Sequence, residues 1–528
     1  MNEQQNTKIR ARAFAILGTG SDVGKSLVTA GLCRLFFRAG VRVAPFKAQN
    51  MALNSFVTPE GGEMGRAQVL QAQACGLKPH VDMNPILLKP EADCRSQVIV
   101  QGKVWNTQDA QTYFRKKSDL MKIVEESYER LARRYEVLMI EGAGSAAEMN
   151  LRERDLVNWP VVNMADASVI LVADIDRGGV FAQIIGTMDL LASEERRRVI
   201  GFVINKFRGD VTLFEDGVRM IEERTGVPVL GVLPYLKGLD LDQEDSVVVD
   251  RYASSPFGSD MVNVAVLLLP HMSNFTDFNP LAAEPDVVLR YVRHPKDLDG
   301  ADVVILPGSK TTMTDFAYVQ QEGFQEAIAK RLSHGVEVVG ICGGFQMLGQ
   351  QIRDPQGVEG GGTIDGFGLL DLTTELLPEK KTIQVTARPL HDNIGGACVV
   401  EGYEIHMGVT TGACLRSCFH VTSRNESQFD GYMRDDGLVW GTYIHGLFDR
   451  PGFRRLWLNR IRVRKNLQEL DITISEAVSQ RLSQEIDRWA DHVETHLNVD
   501  PLFSHMKLKP QCVIECGLSR KGCSHGEV

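Results

Sequence analysis

Short apolar runs alternate with amphipathic stretches through the first half of the chain. The runs fall at 13–17, 41–46, 137–140, 169–173, 199–204 and 229–233, with helical patterns such as 26–39 between them. This alternation predicts a parallel sheet covered by helices. Nearly continuous Val/Ile/Leu runs suit strands buried on both faces. A polar segment at 240–260, holding Asp242, Glu244, Asp245, Ser254, Ser255 and Pro256, breaks the pattern and reads as a linker. A second alternating series follows at 262–269, 303–306, 336–341 and 439–444. From about 450 to 496 the pattern is helical, and 507–528 reads as a loose tail. The expected organisation is two doubly wound α/β domains, over 1–238 and 261–453, joined by a linker at 239–260. A helical extension and tail occupy 454–528.

Composition narrows the class. The chain has 528 residues, 43% hydrophobic and 24% charged, which is ordinary for a soluble globular protein of more than one domain. A net charge of −10 argues against nucleic acid as a partner. No apolar run approaches the roughly 18 residues needed to cross a bilayer, so no membrane partner is expected. The run at 13–17 leads straight into a glycine loop and reads as a strand, not a signal peptide. Ten cysteines are too few for a disulfide scaffold. A cytoplasmic protein is expected.

The first candidate chemistry is Ile16-Leu17-Gly18-Thr19-Gly20-Ser21-Asp22-Val23-Gly24-Lys25-Ser26. A strand, a glycine-rich turn and a helix hold phosphate through inward-pointing backbone N–H groups and the positive helix end. Gly20 and Gly24 shape the turn. Lys25 would reach the terminal phosphates of ATP, and Ser26 would ligate Mg²⁺. Five residues separate Gly18 from Gly24, one more than in the standard loop.

Lys47 ends the second predicted strand, where α/β sheets bind ligands and a lysine can neutralise a transferring phosphoryl group. Glu141, in Ile140-Glu141-Gly142-Ala143-Gly144, ends a later strand and suits a second Mg²⁺ contact. Glu63 is a weaker candidate for the same role. Asn205 follows the run at 199–204 and could read the adenine edge. The lengthened loop, Lys47 and Glu-Gly-Ala-Gly together resemble dethiobiotin synthetase and its relatives. That resemblance implies phosphorylation of a carboxylate by MgATP.

The second candidate chemistry is Val338-Val339-Gly340-Ile341-Cys342-Gly343-Gly344-Phe345-Gln346, followed much later by Thr442-Tyr443-Ile444-His445-Gly446. A cysteine between a strand and a glycine pair opening a helix is a nucleophile elbow. The glycines permit the tight turn, and the helix N-terminus favours the thiolate. The N–H after Cys342 would donate to an oxyanion, and Pro307-Gly308-Ser309 could supply a second donor. His445, at another strand end, is placed to act as general base and then acid. His406, in Tyr403-Glu404-Ile405-His406-Met407-Gly408, is a rival on a less clearly defined strand end.

This half resembles class I glutamine amidotransferases. These usually carry a glutamate two residues after the histidine, where this chain has Leu447; Asp449 follows and would point differently. The third triad member is therefore expected to be missing or replaced, the imidazole poorly oriented, and glutaminase activity weak without the synthetase substrates. His271-Met272-Ser273-Asn274-Phe275-Thr276-Asp277 could line the glutamine pocket or the domain interface. Cys512, Cys516, Cys523 and His525 match no strong zinc spacing.

A dethiobiotin-synthetase-like domain followed by a triad-deficient amidotransferase domain resembles the cobalamin-pathway amidases, over 13 to about 450. The resemblance implies a corrinoid substrate and L-glutamine as nitrogen source. Within that family some members amidate two corrinoid carboxylates and others four. Four stretches, 45–54, 65–68, 84–90 and 174–181, resemble the latter. Rival readings are a partitioning-type ATPase switch, which would leave Cys342 and His445 idle, and an amidase acting on another acceptor. A homo-oligomer is left open.

Overall fold

The computed structural model describes residues 11–92, 95–109, 116–241, 256–396, 398–412, 416–423 and 427–505. The greater part of the expected linker, 242–255, and the tail residues Cys512, Cys516, Cys523 and His525 lie outside them.

Six strands build the main sheet of the first half: β1 (Arg12–Gly18), β2 (Val43–Phe46), β3 (Val137–Glu141), β4 (Ser168–Asp174), β5 (Val199–Phe207) and β6 (Val229–Pro234). They form one sheet in the order β6-β5-β4-β1-β3-β2, and every pairing is parallel. All five residues of β3 are buried, as a strand covered on both faces requires. Order reverses at β1, where β4 lies on one side and β3 on the other. Crevices at the strand ends beside such a reversal are where open α/β sheets bind ligands. Helix α1 (Lys25–Arg38) follows β1, and α2 (Arg66–Ala74) packs against α1.

In the second half, β7 (Val262–Leu267), β8 (Val287–Val292), β9 (Val303–Leu306), β10 (Glu337–Ile341) and β13 (Val439–Thr442) run parallel in the order β8-β7-β9-β10-β13. An antiparallel extension continues this sheet. Its longest members, β11 (Leu372–Pro389) and β12 (Val400–Gly412), pair with each other. The sequence did not suggest this pair. Their exposed faces and the polar run at Glu379, Lys380 and Lys381 hide the hydrophobic alternation.

The C-terminal helices divide between the halves. Helix α4 (Pro451–Arg464; α3, Gly343–Met347, follows β10) packs Phe453, Trp457, Leu458 and Ile461 into the second core. Helix α5 (Val478–His496) returns to the first half and packs Ile486, Trp489, Ala490 and Val493 into the core around α1. A Cβ on Gly31 would stand 2.8 Å from Val493 and 2.9 Å from the Trp489 indole nitrogen, so the close approach needs glycine. Trp489 also donates to the Leu27 carbonyl at 2.6 Å. Trp489→Ala is expected to cost about 3–5 kcal/mol. A lower midpoint in denaturant unfolding, followed by circular dichroism, checks this; an unchanged midpoint would contradict the packing role of α5.

Candidate functional site

The turn between β1 and α1 has no room for side chains at Gly18 and Gly24, whereas a Cβ on Gly20 would meet only Val23, at 3.8 Å. A Cβ on Gly18 would stand 2.8 Å from the Gly20 carbonyl. Gly24 has φ +94°, and a Cβ there would stand 2.2 Å from Asn205 Nδ2. Lys25 Nζ reaches into the turn and donates to the carbonyls of Gly20 at 2.9 Å and Gly144 at 3.0 Å.

Ser26, Lys47 and Glu141 are brought together beside it. Ser26 Oγ and Lys47 Nζ donate to Glu141 Oε1 at 2.7 and 2.8 Å. Gln68 and Gln71, from α2, donate to the other oxygen at 3.1 and 2.5 Å. Burial alone would raise the Glu141 pKa, but the Lys47 ammonium and these hydrogen bonds outweigh it and hold the carboxylate below its usual range. An ionised carboxylate beside a hydroxyl is a donor set that fits Mg²⁺, and the two lysines fit phosphate. Asn205 lies at the loop, but its amide is engaged with backbone: Nδ2 donates to the Val23 carbonyl at 2.9 Å, and Oδ1 accepts from Lys206 N at 2.9 Å.

Glu63 is not part of this cluster. It is buried between Lys89 at 2.8 Å and Lys380 at 2.5 Å, with Ser55 Oγ donating at 2.8 Å. Burial opposes ionisation, yet the two ammonium groups pull its pKa down to about 2. Lys380 comes from β11, so the ion cluster joins the two halves. Burial in turn lowers the Lys380 pKa to about 8.

The thiol sits on a sharp turn, as the elbow motif requires. Cys342 has φ +53° and ψ −109°, a strained conformation for a residue with a Cβ. Glycine is needed around it: a Cβ on Gly344 would stand 1.9 Å from the Leu306 carbonyl, and one on Gly340 2.6 Å from the Gly344 carbonyl. The loop after β9 is pressed against the elbow, since Ser309 N lies 2.9 Å from where a Gly343 Cβ would be.

His445 is buried, and its Nδ1 lies 2.6 Å from Asp277 Oδ2. A carboxylate only accepts, so Nδ1 carries the hydrogen. The second Asp277 oxygen accepts from Gly446 N at 3.0 Å. Nε2 is buried without a hydrogen-bond partner among the described residues. Burial would lower the imidazole pKa, but Asp277 and then the Cys342 thiol push it up to about 10.

The expected deficiency in the triad is thereby corrected. Leu447 is a core residue, and the carboxylate that orients His445 comes from the turn after β7 instead. The sequence had singled out the stretch ending at Asp277 without giving that residue a role. The expectation of weak glutaminase from a poorly oriented imidazole loses its physical basis.

His406 stacks on Tyr443 with centroids 3.7 Å apart, and its nitrogens lie 3.2 Å from the Gly408 carbonyl and 3.4 Å from Glu404. It has no orienting bond as short as that of His445. It lines, with Cys342 and Gln346, a cavity to which Lys89 and Gln97 of the first half also contribute. A thiol, an imidazole oriented by a carboxylate, nearby backbone N–H groups and a cavity beside them can together open an amide through a thioester.

Two family descriptions match the chain: a CobQ/CobB/MinD/ParA nucleotide binding domain over 14–248 and a CobB/CobQ-like glutamine amidotransferase domain over 263–453. The protein is thus a glutamine amidotransferase ligase carrying its own nucleotide-binding domain. The cobyric acid synthase of Syntrophobacter fumaroxidans is 48% identical over 93% of this chain and 98% of its own length. Those of Citrobacter koseri and Salmonella heidelberg are 49% and 47% identical, each over 94% of this chain and 98% of their own. The chain belongs to the cobyric acid synthase family, whose amidation reactions serve cobalamin biosynthesis.

Asp277→Asn is expected to lower glutamine hydrolysis on the order of a thousandfold or more, measured as glutamate release. The same variant reports on pH. The folded His445 pKa is raised above the unfolded one, so the Asp277 pairing stabilises fully below about pH 6.5 and its contribution is lost as pH rises toward about 10. The stability gap between wild type and Asp277→Asn in denaturant unfolding should narrow across that window. A gap that widens would contradict the pairing.

Proposed function

We propose that the chain amidates the four peripheral carboxylates b, d, e and g of adenosylcobyrinic acid a,c-diamide, giving adenosylcobyric acid, with ATP and L-glutamine as co-substrates. The observation that carries this is the presence, on one chain, of a Cys342–His445–Asp277 constellation and a Lys25–Ser26–Lys47–Glu141 phosphate site, alongside near full-length similarity to cobyric acid synthases.

At the thiol site, His445 already holds at Nε2 the proton given up by Cys342, and the thiolate attacks the glutamine amide carbon. The oxyanion is met by the backbone N–H groups near Gly343 and Ser309. His445 then gives its proton to the leaving nitrogen, ammonia departs, and a thioester remains on Cys342 for hydrolysis. At the other site, Lys25 and Lys47 would balance phosphate charge, and Ser26 and Glu141 would hold Mg²⁺. ATP bound there supplies the phosphoryl group that turns a corrinoid carboxylate into an electrophile for ammonia. Asn205 props the loop from behind. Glu63 has its charge committed to Lys89 and Lys380, so we assign it to the interface and not to the metal.

No described helix is long and apolar enough to cross a membrane. A nucleophilic thiol suits the reducing cytoplasm.

Mass spectrometry after incubation with MgATP, glutamine and the corrinoid diamide tests the reading. The expected result is four successive replacements of OH by NH₂. Cys342→Ser should abolish the glutamine-driven reaction and keep the ammonium-driven one. Amidation only of cobyrinic acid itself would point to a cobyrinic acid a,c-diamide synthase. ATP hydrolysis without amidation of any acceptor, unaffected by Cys342→Ser, would point to an ATPase switch.

A further inference from the structure

His445 has two supports, and the nucleotide half grips both. The first is Asp277, on the single turn Phe275–Phe278. That turn is entered through Asn274, at φ +55°. Asn274 Oδ1 accepts from Ser55 N at 3.0 Å, and Asn54 Oδ1 accepts from Phe275 N at 3.2 Å. Asn54, Ser55 and Asn274 are all buried, so water cannot readily replace these bonds. The second support is Tyr403, whose ring stacks on the imidazole at 5.4 Å and 18°. Its hydroxyl donates to the Ser55 carbonyl at 3.3 Å and accepts from Arg66 Nη2 at 3.4 Å. Arg66 N in turn donates to the Asn54 carbonyl at 3.3 Å.

The opposite ends of the same pieces hold the phosphate site. Lys47 and, on α2, Gln68 and Gln71 all bond Glu141. Asn50 ties the two pieces together by donating to Gln68 Oε1 at 2.9 Å. Residues 47–55 and helix α2 therefore run side by side from Glu141 to the supports of His445.

We propose that Asn54 and Arg66, from the nucleotide-binding half, are positioning residues for the histidine of the glutamine site. This rests on the reading of Cys342 and His445 as the glutamine-splitting pair. Neither residue lines the cavity that holds Cys342. Asn54 holds the turn that presents Asp277, and Arg66 holds the ring against which the imidazole lies. The amidotransferase half is a competent glutaminase only while the nucleotide half is docked on it in this register. Movement of residues 47–55 or α2 at the phosphate site is felt at Nε2.

Full-length Asn54→Ala and Arg66→Ala test this. A displacement of the base of about 1 Å costs on the order of a hundredfold in rate. The expected result is a fall of about ten- to a hundredfold in kcat for glutamine hydrolysis. KM for glutamine and the ammonium-driven amidation rate should each stay within about twofold, the latter reporting an intact fold and nucleotide site. The Asn54→Ala/Asp277→Asn double variant should be little worse than Asp277→Asn alone, because Asn54 acts through Asp277. Full additivity in that cycle, or a parallel loss of both activities, would overturn the proposal. Glutamine hydrolysis that survives Cys342→Ser would instead sink the reading of the thiol site, whatever the cycle gives.

Discussion

A buried carboxylate held by one lysine from each half is the constraint on which the rest of the architecture depends. Glu63 and Lys89 belong to the first half and are buried, and Lys380, from the second, keeps only 9% of its side chain exposed. Three charges removed from water are tolerated only with good geometry, and removing one partner of such a cluster typically costs about 3–5 kcal/mol. Lys380 and Lys89 also line the cavity that holds Cys342. Docking of the halves and closure of the thiol cavity are therefore the same event. Lys310, which pairs with Glu91 at 2.7 Å, and Thr382, which donates to the Gly61 carbonyl at 2.9 Å, extend the contact. Helix α5 adds a second tie, because the chain leaves the second half to pack on α1.

This docking has a chemical use. Ammonia released into bulk water is largely protonated and ceases to be a nucleophile. The cavity at Cys342, where nitrogen would be released, is walled by both halves. The two sites also answer opposite electrostatic needs. At Glu141 a lysine keeps a carboxylate ionised in a buried place, ready for a cation. At His445 a carboxylate keeps an imidazole protonated in a buried place, ready to give that proton up. In both, an ion pair and the hydrogen bonds beside it overcome the desolvation that would otherwise neutralise the group.

What could be read from the sequence was what is local. The strands of both parallel sheets other than β8, the glycine turn before Lys25 and the elbow at Cys342 depend on residues within a few positions of one another. Each leaves its own hydrophobic or glycine pattern. Asp277 and His445 are 168 positions apart, and no short-range pattern marks such a pair. The position two residues after His445, where related enzymes carry the third member, is Leu447, which fills the core. Glu63 illustrates the converse. A glutamate beside glycines resembles a loop acid near a metal, but its partner Lys380 lies 317 positions away and sets its environment. Tyr403 and Gln68 fall in stretches the sequence marks without showing their contacts, and nothing local marks Gln71. Their importance comes from what folding brings against them.

The central claim is that nitrogen freed at Cys342 is delivered to a carboxylate activated at the nucleotide site of the same chain. Its most direct test is turnover with glutamine carrying a heavy amide nitrogen, in the presence of unlabelled ammonium and the corrinoid acceptor. The account expects the new amides to carry the heavy isotope almost completely. Product nitrogen that follows the isotopic composition of the bulk ammonium would contradict it.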